Sequence, residues 1–336
     1  MFKRDASLVL DWYLRVTDRA RKGRTFVMAT TAEERRSVSF PSGSELCDAW
    51  LYLPAGAGAS RPLPVVVMAH GLGGVKQAGL APFAERFRDA GYACLVFDYR
   101  YFGDSTGEPR ELVDISSQLA DWRAAVSFAR SLPEIDADRV IVWGTSFGGG
   151  HAIVTAAEDR RIAAVIAQCP FTDGPASVSA IDLRTSAKLT LRALLDVVAG
   201  LVGIAPVRVR TAGEPGTVAL MTAADALEGY SALLRASGLP SIPDVPARIA
   251  MRILFYRPGR RAKDLVCPSL FCVCERDSVA PAWATLAHAA RAPKAEIKRH
   301  PEGHFGIYLG APFERNVSDQ VAFMRTHVPS GRTEPV

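Results

Sequence analysis

No stretch of this 336-residue sequence approaches the roughly 20 consecutive apolar residues that a helix needs to cross a bilayer, so stable membrane insertion is not expected. Lys and Arg exceed Asp and Glu by only five and are scattered through periodic segments. Without a basic block interleaved with aromatics, no nucleic-acid partner is expected. Paired cysteine spacing is missing too. Cys47, Cys94, Cys169, Cys267, Cys272 and Cys274 lie mostly in apolar, strand-like runs, which fits reduced structural thiols better than a zinc site or a disulfide scaffold. The dinucleotide fingerprint Gly-X-Gly-X-X-Gly and low-complexity tracts are absent as well, and nothing calls for a metal or organic cofactor.

What is present is a rhythm of short apolar runs and helical patterns. At the amino terminus Lys3 and Arg4 precede an apolar patch that Asp5, Asp11 and Arg15 interrupt. With no small-residue cleavage site, residues 1–35 read as a helical extension that packs on the domain or on a partner copy, and the expected location is the cytoplasm. Alternation over Arg36 to Phe40 and Glu45 to Leu53 predicts an edge hairpin turning at Pro41-Ser42-Gly43-Ser44. Unbroken β-branched runs at Pro64 to Ala69, Tyr92 to Asp98, Arg139 to Gly144 and Ile162 to Gln168, separated by helical patterns, predict parallel strands covered on both faces. From Gly174 to Asp264 the rhythm breaks, and Gly and Pro clusters interrupt helical patterns at Leu189 to Val202 and Asp225 to Ala236. The expected architecture is α/β: a doubly wound core over 36–173 and 265–328, an inserted helical lid over 174–264, and a frayed tail over 329–336.

The sharpest chemical signal is Gly144-Thr145-Ser146-Phe147-Gly148, because it lies between an apolar strand and a small-residue helix start. A serine on such a turn is held in a strained conformation with its hydroxyl projecting, and small neighbours such as Gly144 and Gly148 avoid clashes. The competing reading, a glycine-rich turn that binds phosphate or only allows close packing, lacks the usual glycine spacing. A serine hydroxyl needs a base, and the base needs an orienting carboxylate. Asp277 follows the apolar run ending at Cys274, at the carboxyl edge where ligands of such sheets collect, with Glu275 its nearest competitor. His304 follows the next strand in a glycine-flanked loop; His288, His327 and His151 fall in helical patterns and His300 at a strand end. Backbone N–H groups of Leu72 and Phe147 are candidate oxyanion donors, since both loops end adjacent strands at one edge. His70 and Gly71 would shape that pocket, His70 by bonding loop carbonyls.

Taken together, HGLGGVKQAG, FDYRYFGDSTGEPR, GTSFGGGHA, CERDSVAP and EGHFGIY resemble segments of the α/β-hydrolase superfamily over roughly Val38 to His327, the inserted segment excepted. They are most similar to dienelactone-hydrolase-like and peptidase-related esterases with a variable cap. The resemblance implies Ser146, Asp277 and His304 as a triad, Leu72 and Phe147 as oxyanion donors, and a serine hydrolase of carboxylic esters or thioesters. An acyltransferase or perhydrolase, an amidase or peptidase, and a non-catalytic ligand-binding member stay open, because a fold does not choose among them.

The segment 174–264 holds twelve Lys/Arg against seven Asp/Glu, a surplus equal to that of the whole chain. Arg208, Arg210, Arg248, Arg252 and Arg257 are therefore candidates to hold an acidic acyl group or a phosphorylated carrier, against the plainer reading as solvated surface charge. The expected partner is a small acyl ester or a carrier-bound thioester, with homo-oligomerisation possible.

Overall fold

The computed structural model describes residues 35–179 and 182–331. The expected amino-terminal helix and most of the expected tail lie outside those residues. Hairpin β1 (Arg36–Ser42) and β2 (Glu45–Tyr52) opens the fold, followed by β3 (Leu63–Ala69), α1 (Ala81–Asp89), β4 (Ala93–Phe97), α2 (Ile115–Ser131), β5 (Ile135–Thr145), α3 (Phe147–Glu158) and β6 (Ala164–Gln168). After the inserted segment come β10 (Ser269–Cys274), α8 (Ala282–Ala289), β11 (Ala295–His300) and α9 (Gly310–His327). One eight-stranded sheet runs in the order β1-β2-β4-β3-β5-β6-β10-β11. Only the pairs β1/β2 and β2/β4 are antiparallel. The mostly parallel α/β architecture thus stands.

Alternation along the strands explains the double cover. Val65 and Val67 of β3 and Val140 and Val142 of β5 face a cluster containing Trp122, Val126 and Ile153 from α2 and α3. Their neighbours Val66, Met68, Ile141 and Trp143 face Phe83 and Phe87 of α1 and Phe313 and Phe323 of α9. Burying both faces of β-branched strands is what lets a parallel sheet persist, at roughly 1.5–3 kcal/mol per large side chain removed from water.

The inserted segment comprises α4 (Gly174–Val178), α5 (Leu183–Leu201), β7 (Arg208–Ala212), β8 (Ala219–Met221), α6 (Ala226–Ala236), β9 (Asp244–Pro246), α7 (Ile249–Ile253) and a 3-10 turn at Pro258–Asp264. Sequence periodicity suggested helices alone; β8-β7-β9 forms a second, three-stranded sheet. Two of its strands are only three residues long, too short for alternation to register. Nor is the segment a separate body. Val209, Val245 and Ile249 join the first core cluster, and Ala212, Met221, Tyr230 and Leu233 the second.

Candidate active site

Ser146 sits between β5 and α3 with φ 54° and ψ −121°, a left-handed backbone that L-residues rarely adopt. Backbone bonds hold it there: its N–H donates to Gln168 O (2.9 Å), and its carbonyl accepts from Gly149 N (2.9 Å), Gly150 N (3.2 Å) and Phe171 N (2.8 Å). Glycine is required on both sides. A Cβ at Gly144 would lie 2.0 Å from Gly148 O, and one at Gly148 2.4 Å from His70 O. Gly71 likewise lets its loop come against the serine, since a Cβ there would lie 2.9 Å from Ser146 Cβ. Behind the turn, Gln168 Nε2 donates to Thr145 Oγ1 (3.2 Å) and Gln168 Oε1 accepts from Asn316 (2.7 Å) and Gln320 (2.8 Å), tying β5 and β6 to α9.

The ends of β10 and β11 bring the other polar groups to the same edge. Ser146 Oγ–H donates to His304 Nε2 at 2.9 Å, and His304 Nδ1–H donates to Asp277 Oδ2 at 2.7 Å. Asp277 Oδ1 accepts the N–H groups of Val279 (2.9 Å) and Ala280 (2.6 Å), which fixes the carboxylate's orientation. Burial works against a charge on His304, and the adjacent Asp277 carboxylate outweighs it, raising the imidazole to about 9. Glu275 instead lies 3.5 Å from Arg299 on the surface. Among the other histidines, His151 is buried in α3, its Nε2–H donating to Gln118 Oε1 (2.9 Å) and its Nδ1 accepting from Tyr256 OH (2.6 Å). Burial lowers it to about 3, and it packs against the ring of Phe147 with centroids 4.9 Å apart.

Leu72 and Phe147 line one cleft with Ser146. The Leu72 loop is anchored by an ion cluster that the pattern of apolar runs does not reveal. Lys76 is fully buried, its Nζ reaching Asp98 Oδ2 (2.7 Å), Asp104 Oδ2 (2.7 Å) and Asp48 Oδ1 (2.8 Å) while its backbone N–H donates to Asp98 Oδ1 (2.6 Å). Burial alone would discharge the amine, but Asp98 and its companions raise its pKa, so it stays charged. His70 Nδ1–H donates to Gly71 O (3.0 Å), and burial lowers this imidazole to about 4, leaving a neutral strut in the loop.

The inserted arginines do not converge on the serine. Arg208 reaches Glu111 (2.9 Å), Arg248 clamps Asp196 (2.6 Å) and Arg257 reaches Asp173 (2.9 Å). Arg210 is 65% exposed, 3.9 Å from Asp244, and Arg252 borders a separate depression with Asp114 and Phe255. Pairing with acids of the segment and the core accounts for Arg208, Arg248 and Arg257, which a charge count cannot see. The space beside Ser146 is instead mostly apolar, a cleft walled by Phe147, Phe171, Val178, Leu220 and Ile253. A second pocket adjoins it at Leu72, Ser146 and Met221, walled by His304, Phe305, Tyr308 and Tyr230. Among the described residues no cluster of His, Cys, Asp or Glu is placed to hold a metal, and no helix is long and apolar enough to cross a membrane.

Comparison with known proteins identifies the fold family. Residues 64–201 match the model of the alpha/beta hydrolase fold family. The chain is 52% identical over 293 residues to the quorum-quenching protein AidA of Acinetobacter baumannii, covering 87% of this chain and 95% of the relative. It is 27% identical over 269 residues to a thiohydrolase of Eupenicillium brefeldianum, covering 78% and 86%. Among solved structures, the alpha/beta hydrolase GrgF from Penicillium superposes with a TM-score of 0.74 at 23% identity, covering 87% of this chain and 98% of its own.

Proposed function

The chain belongs to the α/β-hydrolase family, and from that premise we propose that it is a serine hydrolase of carboxylic esters or thioesters, with Ser146 as nucleophile, His304 as base and Asp277 as the carboxylate that orients it. The observation that carries this reading is the continuous line Asp277–His304–Ser146, with bonds of 2.7 and 2.9 Å, at the mouth of an apolar cleft. His304 takes the Ser146 proton as Oγ attacks the acyl carbon, and the resulting oxyanion meets the N–H groups of Phe147 and Leu72. His304 then passes its proton to the departing alcohol or thiol, and water activated by the same imidazole releases the acid. Serine at this position makes an acyl-enzyme the natural intermediate. The inserted segment acts as the lid that selects substrates.

The similarity to AidA, named for quorum quenching, extends the reading to a role: the physiological substrate is a quorum signal with a cleavable ester, lactones included. An apolar cleft without a basic side chain suits a neutral acyl chain better than an acidic one. Mass spectrometry after a fluorophosphonate probe, comparing wild type with Ser146→Ala, tests the nucleophile, and a panel of neutral and acidic acyl esters, thioesters and acyl lactones tests the substrate. Labelling confined to Ser146, with faster turnover of neutral acyl chains, is expected. A folded protein with neither label nor turnover would favour a ligand-binding role, and acyl transfer to an added alcohol outrunning hydrolysis would make it a transferase.

A further inference from the structure

On α5 the side turned to solvent is aliphatic. Leu191, Leu194, Leu195, Val198, Leu201 and Val202 recur at intervals of three and four residues, so they line one stripe, and each is between 46% and 81% exposed. The opposite face, with Leu189, Ala193 and Ala199, is the one that packs on the rest of the segment. A folded monomer rarely leaves more than a few hundred Å² of contiguous apolar surface in water, so a stripe of this kind marks an interaction site.

Toward the amino end of the helix the same face carries cations. Arg184 and Lys188 precede Leu191 by two turns and one, and Arg192 flanks it. None of the three makes an ion pair among the described residues; Arg192 donates to the Arg208 carbonyl at 3.3 Å. Helix stability does not ask for them, because the dipole disfavours a cation in the first turn, where Arg184 stands without an acid beside it. The acids of this stretch are engaged elsewhere. Asp182 caps the amides of Arg184 and Thr185 (both 3.0 Å), and buried Asp196 is clamped by Arg248.

Leucine and valine beside unpaired cations, on a helix that is not apolar enough to span a bilayer, suit adsorption to an anionic lipid surface. A second copy of the chain fits less well. A symmetric pair of α5 helices would cover the aliphatic stripes but bring the cations of each copy no carboxylate from the other, whereas a bilayer presents phosphates beside acyl chains. We propose that the outer face of α5 docks this protein on membranes containing anionic phospholipid, with Leu191, Leu194, Leu195 and Val198 entering the interface and Arg184, Lys188 and Arg192 meeting the headgroup phosphates. α5 follows α4, whose Val178 walls the cleft beside Ser146, and Arg248 ties it to α7, whose Ile253 does the same. Docking would therefore hold the cleft near the boundary where acyl compounds gather. The surface is separate from Ser146, so its failure would leave the hydrolase reading intact.

The test is sedimentation of the full chain with vesicles of mixed phosphatidylglycerol and phosphatidylcholine, or of phosphatidylcholine alone. It compares wild type with Leu191→Gln/Leu195→Gln, which keeps charge and helix propensity, and with Arg184→Gln/Lys188→Gln. Wild type should bind the mixed vesicles about tenfold more tightly than the neutral ones, and raising salt from about 0.05 to about 0.5 M should release it. Each double variant should lose about tenfold in that affinity and keep the wild-type melting temperature. No binding by wild type, equal binding to both vesicle types, or binding that survives either double variant overturns the proposal. A lipid-free wild-type dimer that Leu191→Gln/Leu195→Gln dissociates in analytical ultracentrifugation would overturn it in favour of an interface between copies. A monomeric variant melting well below wild type would overturn it in favour of another segment of the chain covering the face.

Discussion

In the core, β3, β4 and β6 are buried along their entire length, whereas in the inserted segment α5 buries Thr185, Leu189, Ala193, Asp196 and Ala199 and leaves Leu183 and Leu201 more than 80% exposed. In the core, the backbone of the reacting serine and the carboxylate of Asp277 are held by main-chain groups. Ser146 is fixed by its neighbours' N–H and C=O groups, and Asp277 by two amides of its own turn. The inserted segment places its groups through side chains, with Arg248 clamped on Asp196 and Tyr230 stacked on Phe305. A backbone-held site tolerates no drift at the reacting atoms, while side-chain contacts can be exchanged without disturbing the sheet. Chemistry should therefore reside in the first region and selectivity in the second.

The largest effect expected from breaking the core half of that contrast, short of removing the nucleophile, is for Asp277→Asn. Losing the carboxylate that orients His304 should lower kcat by about 10⁴-fold with little change in fold. The pH profile sharpens the test. With His304 raised to about 9, the neutral base becomes available only as pH climbs, so wild-type kcat/KM should rise toward that value. In Asp277→Asn burial acts without the carboxylate, and the midpoint should fall below the ordinary histidine value of about 6.5. Stability runs the opposite way: a histidine raised on folding contributes fully below about 6.5, and that contribution is lost as pH rises through about 9. Melting temperatures across that window, against His304→Gln, would show wild type losing its advantage. An unchanged midpoint in Asp277→Asn would count against Asp277 as the orienting group.

Next in size is Gly148→Ala. Its Cβ would press on backbone at His70, which cannot yield cheaply, so about 1–3 kcal/mol of stability and most activity should go together. Thermal melting alongside ester turnover checks this; a folded, fully active variant would show that the turn is less tightly framed.

These core features were readable in advance because they are written in local sequence. An apolar run, a Gly-X-Ser-X-Gly turn, and an Asp and a His just past later strands specify where each group falls on a parallel sheet, whatever lies between. The inserted segment carries no such code. Arg208 and Arg248 read as potential ligands because a charge count cannot reveal Glu111 or Asp196 as their partners. Lys76 was hidden differently. Its carboxylate partners come from positions 48, 98 and 104, which meet only once β2, β3 and β4 have paired.

A smaller effect, on the other half of the contrast, is expected from Arg248→Met. It strips the partner from fully buried Asp196, which also accepts the Val207 N–H (2.9 Å). Since the guanidinium is itself about a third exposed, solvent discounts the loss to about 1–2 kcal/mol. The consequence should appear in KM more than in kcat, because Arg248 precedes α7, whose Ile253 walls the apolar cleft. A fall in kcat at constant KM would break the division between the two regions.

The smallest effect belongs to Leu195→Glu. Leu195 is 53% exposed on the outer face of α5, and Glu and Leu have nearly equal helix propensity. Little burial is lost, so melting temperature, measured at low protein concentration, should stay within the range of about 0.5 kcal/mol usual for surface changes, with kcat/KM unchanged. Leu189, about 1.7 turns away on the buried face, belongs to the first core cluster, and Leu189→Glu should unfold the segment. Similar outcomes for the two substitutions would mean that the outer face of α5 is covered in solution; divergence would place the boundary between framework and surface along this one helix.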